Sequence, residues 1–201
     1  TAYNPFLLRP KARYADVILS ISEYDRRRVE AEAPEARGKV RVCRVGIRVD
    51  EWSGLERRPE PGRILSVAAL REKKGHDVLI RAVAQLRDAG RDVRCVIVGE
   101  GPERPSLERL IASTGAPVEL VGAAGPDRVR EEMERAAVFV LACRVARNGD
   151  LDGIPVALME AMAAGVPVVS TRVSGIPELV EPSRTGWLAE AGAPGSLAVA
   201  I

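Results

Sequence analysis

Short β-branched runs alternate along the chain with stretches whose apolar residues recur every three or four positions. The runs predict strands at 16–20, 40–45, 63–67, 94–98, 118–121, 138–142 and 166–170. Several, such as Val138-Phe139-Val140-Leu141-Ala142, are apolar without alternation, which predicts burial on both faces, as in a parallel sheet between helix layers. Between them Leu79, Val83 and Leu86, then Leu107, Leu110 and Ile111, then Val129, Met133 and Ala136 keep helical spacing, so each helix has one face for the sheet. Gly75 and His76 precede the first helix, Gly115 follows the second and Gly125-Pro126 opens the third, in agreement with turn chemistry. Repeated strand-helix-strand units with short links predict an α/β fold, a doubly wound, mainly parallel sheet with right-handed crossovers.

The same pattern divides the chain into an N-terminal segment at 1–48, a surface linker at 49–62 and a sheet-forming domain at 63–201. In the linker Asp50, Gly54, Pro59, Pro61 and Gly62 lie among charged residues. The chain opens on Thr1 and stops at Ile201, soon after a helix start at Pro194, so the expectation is a piece of a longer protein that lacks its last helix.

Composition narrows the classes of partner. Of 201 residues 46% are hydrophobic and 29% charged, the ordinary mix of a folded domain. Lys plus Arg number 30 against 28 Asp plus Glu, with the signs interspersed, and aromatic residues are only 3%, so nucleic acid is not an expected partner. The longest nearly apolar run, 154–171, is broken by Glu160, two prolines and Gly165, so no transmembrane segment is expected. Cys43, Cys95 and Cys143 are far apart and lie in or beside predicted strands; they read as buried core thiols of a reducing, cytoplasmic setting rather than a disulfide framework or metal site.

In a doubly wound sheet, ligands bind beyond the carboxyl ends of the strands. The loop Asn148-Gly149-Asp150-Leu151-Asp152-Gly153-Ile154-Pro155-Val156 follows one such strand and enters a helix at 156–164, with Pro155 suited to the first turn. The N–H groups of Gly153, Ile154 and the first turn, backed by the helix dipole, suit an anion or sugar hydroxyls, and Gly153 lets a ligand come close. Glu160 is the only charge between Gly153 and Thr171, in a helix otherwise apolar all round, which predicts burial. Its carboxylate needs donors, either from the polypeptide or from a ligand such as a pair of ribose hydroxyls. In Arg71-Glu72-Lys73-Lys74-Gly75-His76, cations crowd a helix start; an anion such as a diphosphate would relieve the mismatch, and a solvated charged turn is the alternative. His76 is the sole histidine and reads as a helix-start residue. Val98-Gly99-Glu100-Gly101-Pro102 has Arg104 where the dinucleotide fingerprint ends in glycine, and no GKS or GKT loop is present.

Taken in order, these loops resemble the C-terminal, donor-binding domain of family 4 retaining glycosyltransferases of the "glycosyl transferases group 1" type. The likeness runs through ADVILSISEY, VCRVGIRVDEW, ILSVAALREKKGHDVLIRA, VIVGEGPER and VELVG. Its most specific block is DGIPVALMEAMAAGVPVVSTRVSGIPELV, where an acid, seven positions and a glutamate precede a G-PE turn. The resemblance implies a Rossmann-like half of a two-domain GT-B architecture, entered through 1–48, that binds a UDP-, GDP- or ADP-linked sugar and needs no metal or other cofactor. It implies Glu160 on the donor ribose, Asp152 on sugar hydroxyls in place of the usual glutamate, and Lys74 on the phosphates. It puts backbone of Gly153, Ile154, Pro155 and Val156 at the phosphates or sugar, and the base against Leu120, Val121 and Gly122. The family's companion arginine falls on Ala69, with Arg71 as the substitute. A carbohydrate or lipid-linked acceptor would be held by an N-terminal domain missing here, and the full-length protein would be cytoplasmic or peripheral at the membrane. A non-catalytic nucleotide-binding or interaction domain is the competing reading, with an NAD(P)-dependent oxidoreductase behind it; fold alone does not choose among them.

Overall fold

The computed structural model describes residues 7–201; residues 1–6 of the N-terminal segment lie outside the described residues. Helices α1 (Leu8–Tyr14) and α2 (Glu23–Glu32) accompany strands β1 (Ile18–Ser20) and β2 (Val40–Val42), which pair in parallel as a small two-stranded sheet. The main sheet contains β3 (Arg63–Val67), β4 (Arg94–Val98), β5 (Val118–Gly122), β6 (Val138–Val140), β7 (Val168–Thr171) and β8 (Trp187–Ala189). Its helices are α3 (His76–Asp88), α4 (Arg104–Thr114), α5 (Pro126–Arg135), α6 (Val156–Ala163) and α7 (Pro194–Ala200). All six strands are parallel in the order β5-β4-β3-β6-β7-β8, a doubly wound arrangement.

The unbroken apolar runs are buried on both faces, as their lack of alternation requires. Leu65, Val96, Phe139 and Val168 face a cluster with Val129 and Met133 of α5 and Leu158 and Ala161 of α6. Ile64, Cys95, Ile97, Val140 and Val169 face Leu79, Val83, Leu107 and Leu197 on the other side. Buried side chains of this size contribute about 1.5–3 kcal/mol each relative to exposure, so these two layers fix the sheet. Helix ends follow local chemistry: Gly115 caps α4 in the left-handed region, and Pro126 occupies the first turn of α5.

Three expectations need correcting. The 49–62 stretch is not simply a surface linker: Trp52 is 6% exposed and packs in the α5/α6 cluster beneath Arg130, and Arg57 donates to the carbonyls of Ala136 and Gly165. Its prolines and charges disguised an indole anchored by cation–π contact. Helix α6 is apolar but not buried all round; Leu158 and Ala161 face the core, while Val156, its first residue, is exposed. Cys43 is exposed, one residue past the end of β2, whereas Cys95 and Cys143 are buried. Burial pushes both of those thiols up, Cys143 to about 12 with Asp152 adding to the effect. Thiol labelling of the native chain is therefore expected to modify Cys43 rapidly and to leave Cys95 and Cys143 protected until unfolding; comparable rates at all three would contradict this placement.

Candidate functional site

Strand order reverses at β3 and β6: the chain proceeds outward through β4 and β5 on one side and through β7 and β8 on the other. The loops leaving β3 and β6 therefore diverge at a topological switch point, the usual ligand crevice of such a sheet. The β3 loop passes through a single 3-10 turn, Glu72–Lys74, into left-handed Gly75 and then α3. Gly75 lies so close to the β6 loop that a Cβ there would stand 1.9 Å from the carbonyl oxygen of Ala142. Arg144 fastens the two loops, its N–H donating to the Lys73 carbonyl (2.9 Å), its Nε to the Glu72 carbonyl (3.1 Å) and its Nη1 to Asp77 (2.9 Å).

Across this junction Lys74 Nζ meets Asp152 Oδ2 at 2.8 Å, while Lys73 Nζ meets Asp152 Oδ1 at 3.3 Å and Asp150 Oδ2 at 3.2 Å. Burial alone would depress Lys73; Asp152 and Asp150 more than offset it and leave the ammonium above the ordinary lysine range. The Asp-bearing loop is itself ordered by local bonds: Asn148 Oδ1 accepts from the Asp150 N–H (3.0 Å) and the Asp150 carbonyl from the Ala146 N–H (2.8 Å). The fold thus brings Lys74 and Asp152 together and adds Lys73 and Asp150. It does not bring Arg71 to them; that side chain is exposed and has no side-chain partner among the described residues, and Ala69 is exposed as well.

His76 is the first residue of α3 and is only 2% exposed. Burial pulls its pKa down to about 4, with Lys74 acting in the same direction, so the ring is neutral near pH 7. The carbonyls of Ala68 and Ala69 lean toward the ring without meeting hydrogen-bond geometry. The glycine-rich turn after β4 serves this loop: the Glu100 carbonyl accepts from the Leu70 N–H (2.9 Å) and the Leu70 carbonyl from the Glu103 N–H (3.1 Å), which fixes buried Leu70 at the start of the loop.

Glu160 stands one turn into α6, half-buried. No group among the described residues donates to its carboxylate, and burial followed by repulsion from Glu51 raises its pKa above the usual glutamate range. The N–H groups of Gly153, Ile154 and Val156 likewise have no acceptor among the described residues, as the orphan donors of a helix start allow. Pro155 precedes the helix in extended conformation. Gly153 is closely approached, but by the protein: a Cβ there would come within 2.5 Å of Ile21 Cδ1. Val121 and Ala157 border the apolar cluster formed by α5 and α6 against the sheet. Of the β5 backbone, the Leu120 carbonyl accepts from Arg104 (3.2 Å) and the Gly122 carbonyl from the Gly99 N–H (2.8 Å).

Sequence reasoning missed Lys73 and Asp150 as members of the cluster, and it missed Glu178 of the G-PE turn. Glu178 accepts from the Glu23 and Tyr24 N–H groups at the start of α2 (3.0 and 2.9 Å) and from Arg44 (3.0 Å), so it ties the small sheet to the large one. No cluster of potential metal ligands occurs among the described residues. No helix there is long and apolar enough to cross a membrane. A cavity of about 790 Å3 between α3, α4 and the β6 loop, bordered by Arg81, Arg109 and Arg144, includes neither lysine, nor Asp152, nor Glu160.

The profile of the family described as glycosyl transferases group 1 matches residues 61–201. The amylovoran biosynthesis glycosyltransferase AmsK of Erwinia amylovora is 42% identical over 168 residues, covering 81% of this chain and 41% of AmsK. The GDP-mannose-dependent alpha-(1-6)-phosphatidylinositol monomannoside mannosyltransferase of Mycolicibacterium smegmatis is 33% identical over 163 residues, covering 80% of this chain and 40% of that enzyme. The chain thus spans about two fifths of the length of these relatives. HepE of Anabaena, solved in complex with UDP and glucose, superimposes with a TM-score of 0.76 at 20% identity, over 98% of this chain and 56% of HepE. That likeness is one of fold.

Proposed function

The chain belongs to the glycosyl transferases group 1 family, and on that premise we propose that it is the donor-binding part of a retaining glycosyltransferase, one half of a GT-B pair. Residues 63–201 form the nucleotide-sugar unit, entered through 1–48 and 49–62. The donor is a nucleoside-diphosphate sugar, and a carbohydrate or lipid-linked acceptor is held by the remainder of a longer cytoplasmic or membrane-peripheral protein. AmsK is named for amylovoran biosynthesis and the mycobacterial relative for GDP-mannose, while HepE was solved with UDP, which supports the class of donor without choosing its base.

The observation that carries this reading is the Glu160 carboxylate, half-buried and without a donor of its own, on the helix whose leading amides are also unpaired. A pair of ribose hydroxyls supplies the missing donors, and Lys74 with the amides of Gly153, Ile154 and Val156 takes the diphosphate. As the bond from the anomeric carbon to the diphosphate oxygen breaks, these positive groups stabilise the charge on the leaving oxygen. Asp152 holds sugar hydroxyls, and the acceptor hydroxyl oxygen bonds to that carbon on the face being vacated while its proton passes to the departing phosphate oxygen, giving retention. Leu120, Val121 and Gly122 border the base. Because Glu160 is raised by burial and Glu51, binding that depends on its ionised form weakens as pH falls through a window lying above that of an ordinary glutamate.

Calorimetric titration with UDP, GDP and ADP tests the reading. One of them is expected to bind, and Glu160→Ala to weaken it by about 1–3 kcal/mol, the range for charged hydrogen bonds. Lys74→Ala is expected to weaken the diphosphate more than the matching nucleoside. Absence of heat with all three nucleotides would favour an interaction domain, and heat with NAD or NADP an oxidoreductase; unchanged affinity in folded Glu160→Ala would remove the ribose assignment.

A further inference from the structure

Lys73 and Lys74 are neighbours in one tight turn, where successive side chains ordinarily diverge by about 120°. Their ammonium groups nevertheless converge on a single carboxylate, Lys73 on Oδ1 and Lys74 on Oδ2 of Asp152. Both are largely withdrawn from water, at 18% and 16% exposure. Two like charges so placed are unfavourable without anions between them, and Asp152 and Asp150 supply two negative charges for the two positive ones. The result is a two-cation seat at the switch point, in direct chain continuity with the unpaired amides of Gly153, Ile154 and Val156.

We propose that Lys73 is a second phosphate-binding residue of the donor site, acting with Lys74 on the diphosphate; this rests on the donor-site reading above. One lysine matches only part of the charge of a diphosphate, and the other cation nearby in sequence, Arg71, lies outside the cluster, while Ala69 carries no charge. Lys73 is already held where a bridging anion can be shared with Lys74. Asp152, relieved of the lysines by the incoming phosphate, turns its oxygens to sugar hydroxyls. Asp150 binds Lys73 but not Lys74 in the ion-pair geometry, so it competes with the diphosphate for Lys73 alone.

This assignment separates Lys73 as an anion ligand from Lys73 as a mere fastener of the 146–152 loop, because the two predict opposite effects at Asp150. The 201-residue chain and its Lys73→Met, Asp150→Asn and Arg71→Met variants would be titrated with UDP, GDP and ADP, and with uridine, guanosine and adenosine. Thermal melts would confirm folding. Lys73→Met is expected to weaken the diphosphate about tenfold, the loss of one charge-assisted contact, with nucleoside affinity unchanged. Asp150→Asn, which frees Lys73, is expected to tighten the diphosphate several-fold. Equal losses of nucleoside and diphosphate in Lys73→Met, or weakening by Asp150→Asn, would overturn the proposal in favour of a fastener, and a loss confined to Arg71→Met would give the role to Arg71. If the parent chain binds UDP, GDP or ADP and Lys73→Met does not alter it, this inference alone fails; if the parent binds none of the three, the donor-site reading fails with it.

Discussion

Replacing Glu132 by alanine is expected to cost about 3–5 kcal/mol of folding stability, the range for removing one partner from a buried ion pair. Its side chain, on α5, is 1% exposed and meets Arg63, the first residue of β3, whose side chain is 7% exposed, while Arg128 approaches from α5 itself at 2.7 Å. Glu60 extends the network, accepting from Arg135 at 2.6 Å and also pairing with Arg63 and Arg94. Removing Glu132 leaves the buried Arg63 guanidinium with only Glu60, at 3.3 Å, to pair with. Urea unfolding of Glu132→Ala and of the double variant Glu132→Met, Arg63→Met would measure this. The single change should produce the large loss, and the double change should recover most of it because neither charge then remains buried. A loss below about 1 kcal/mol for Glu132→Ala would show that water reaches the pair. The network stands at the foot of β3, opposite the lysine loop, so nucleotide affinity of the folded fraction should stay the same.

Gly75→Ala is expected to disable the lysine loop. Gly75 has φ +66, where a non-glycine residue costs roughly 1–3 kcal/mol, and the added Cβ would be driven against the Ala142 carbonyl. The β3 and β6 loops would have to part at the point where Lys74 reaches Asp152, so loss of diphosphate binding should accompany the loss of stability. Gly149→Ala supplies the comparison: its φ is +79, but no atom lies within 4 Å of the added Cβ. It bears the conformational cost without the collision. Chemical denaturation and UDP or GDP titration of both variants would separate the contributions, and equal behaviour would mean that the loops yield easily at Gly75.

Much of the architecture was legible because burial on both sheet faces leaves apolar runs without alternation, as in Cys95–Val98 of β4 and in β6, while β3 beyond Arg63 and β7 are apolar apart from buried Ser66, Ser170 and Thr171. Strand β8, Trp187–Ala189, has no β-branched residue and owes its existence to pairing with β7, a long-range cause that a local pattern does not carry. Helix α2 has no buried residue and little amphipathic signal, yet its Ser22-x-x-Asp25 start was a readable cap: Ser22 Oγ accepts from the Asp25 N–H and donates to its carboxylate. In the candidate site, the isolation of Glu160 could be read from its apolar neighbours. The part taken by Lys73 could not. Two adjacent lysines are equivalent on paper, and only the turn after β3 and the returning loop after β6 bring both to one carboxylate. Arg71 looked equally available, but the extended backbone at that residue precedes the turn and leaves its side chain in solvent.

The Glu178 contact also bears on where the protein can be dissected. A cut at residue 48, where composition changes, would sever no strand of the large sheet. It would nonetheless strip the leading amides of α2 of their acceptor and leave Glu178 without three of its donors. Each fragment would inherit half of a shared cap, so a shortened version intended for binding studies keeps its integrity only if residues 20–25 and Arg44 travel with the larger part.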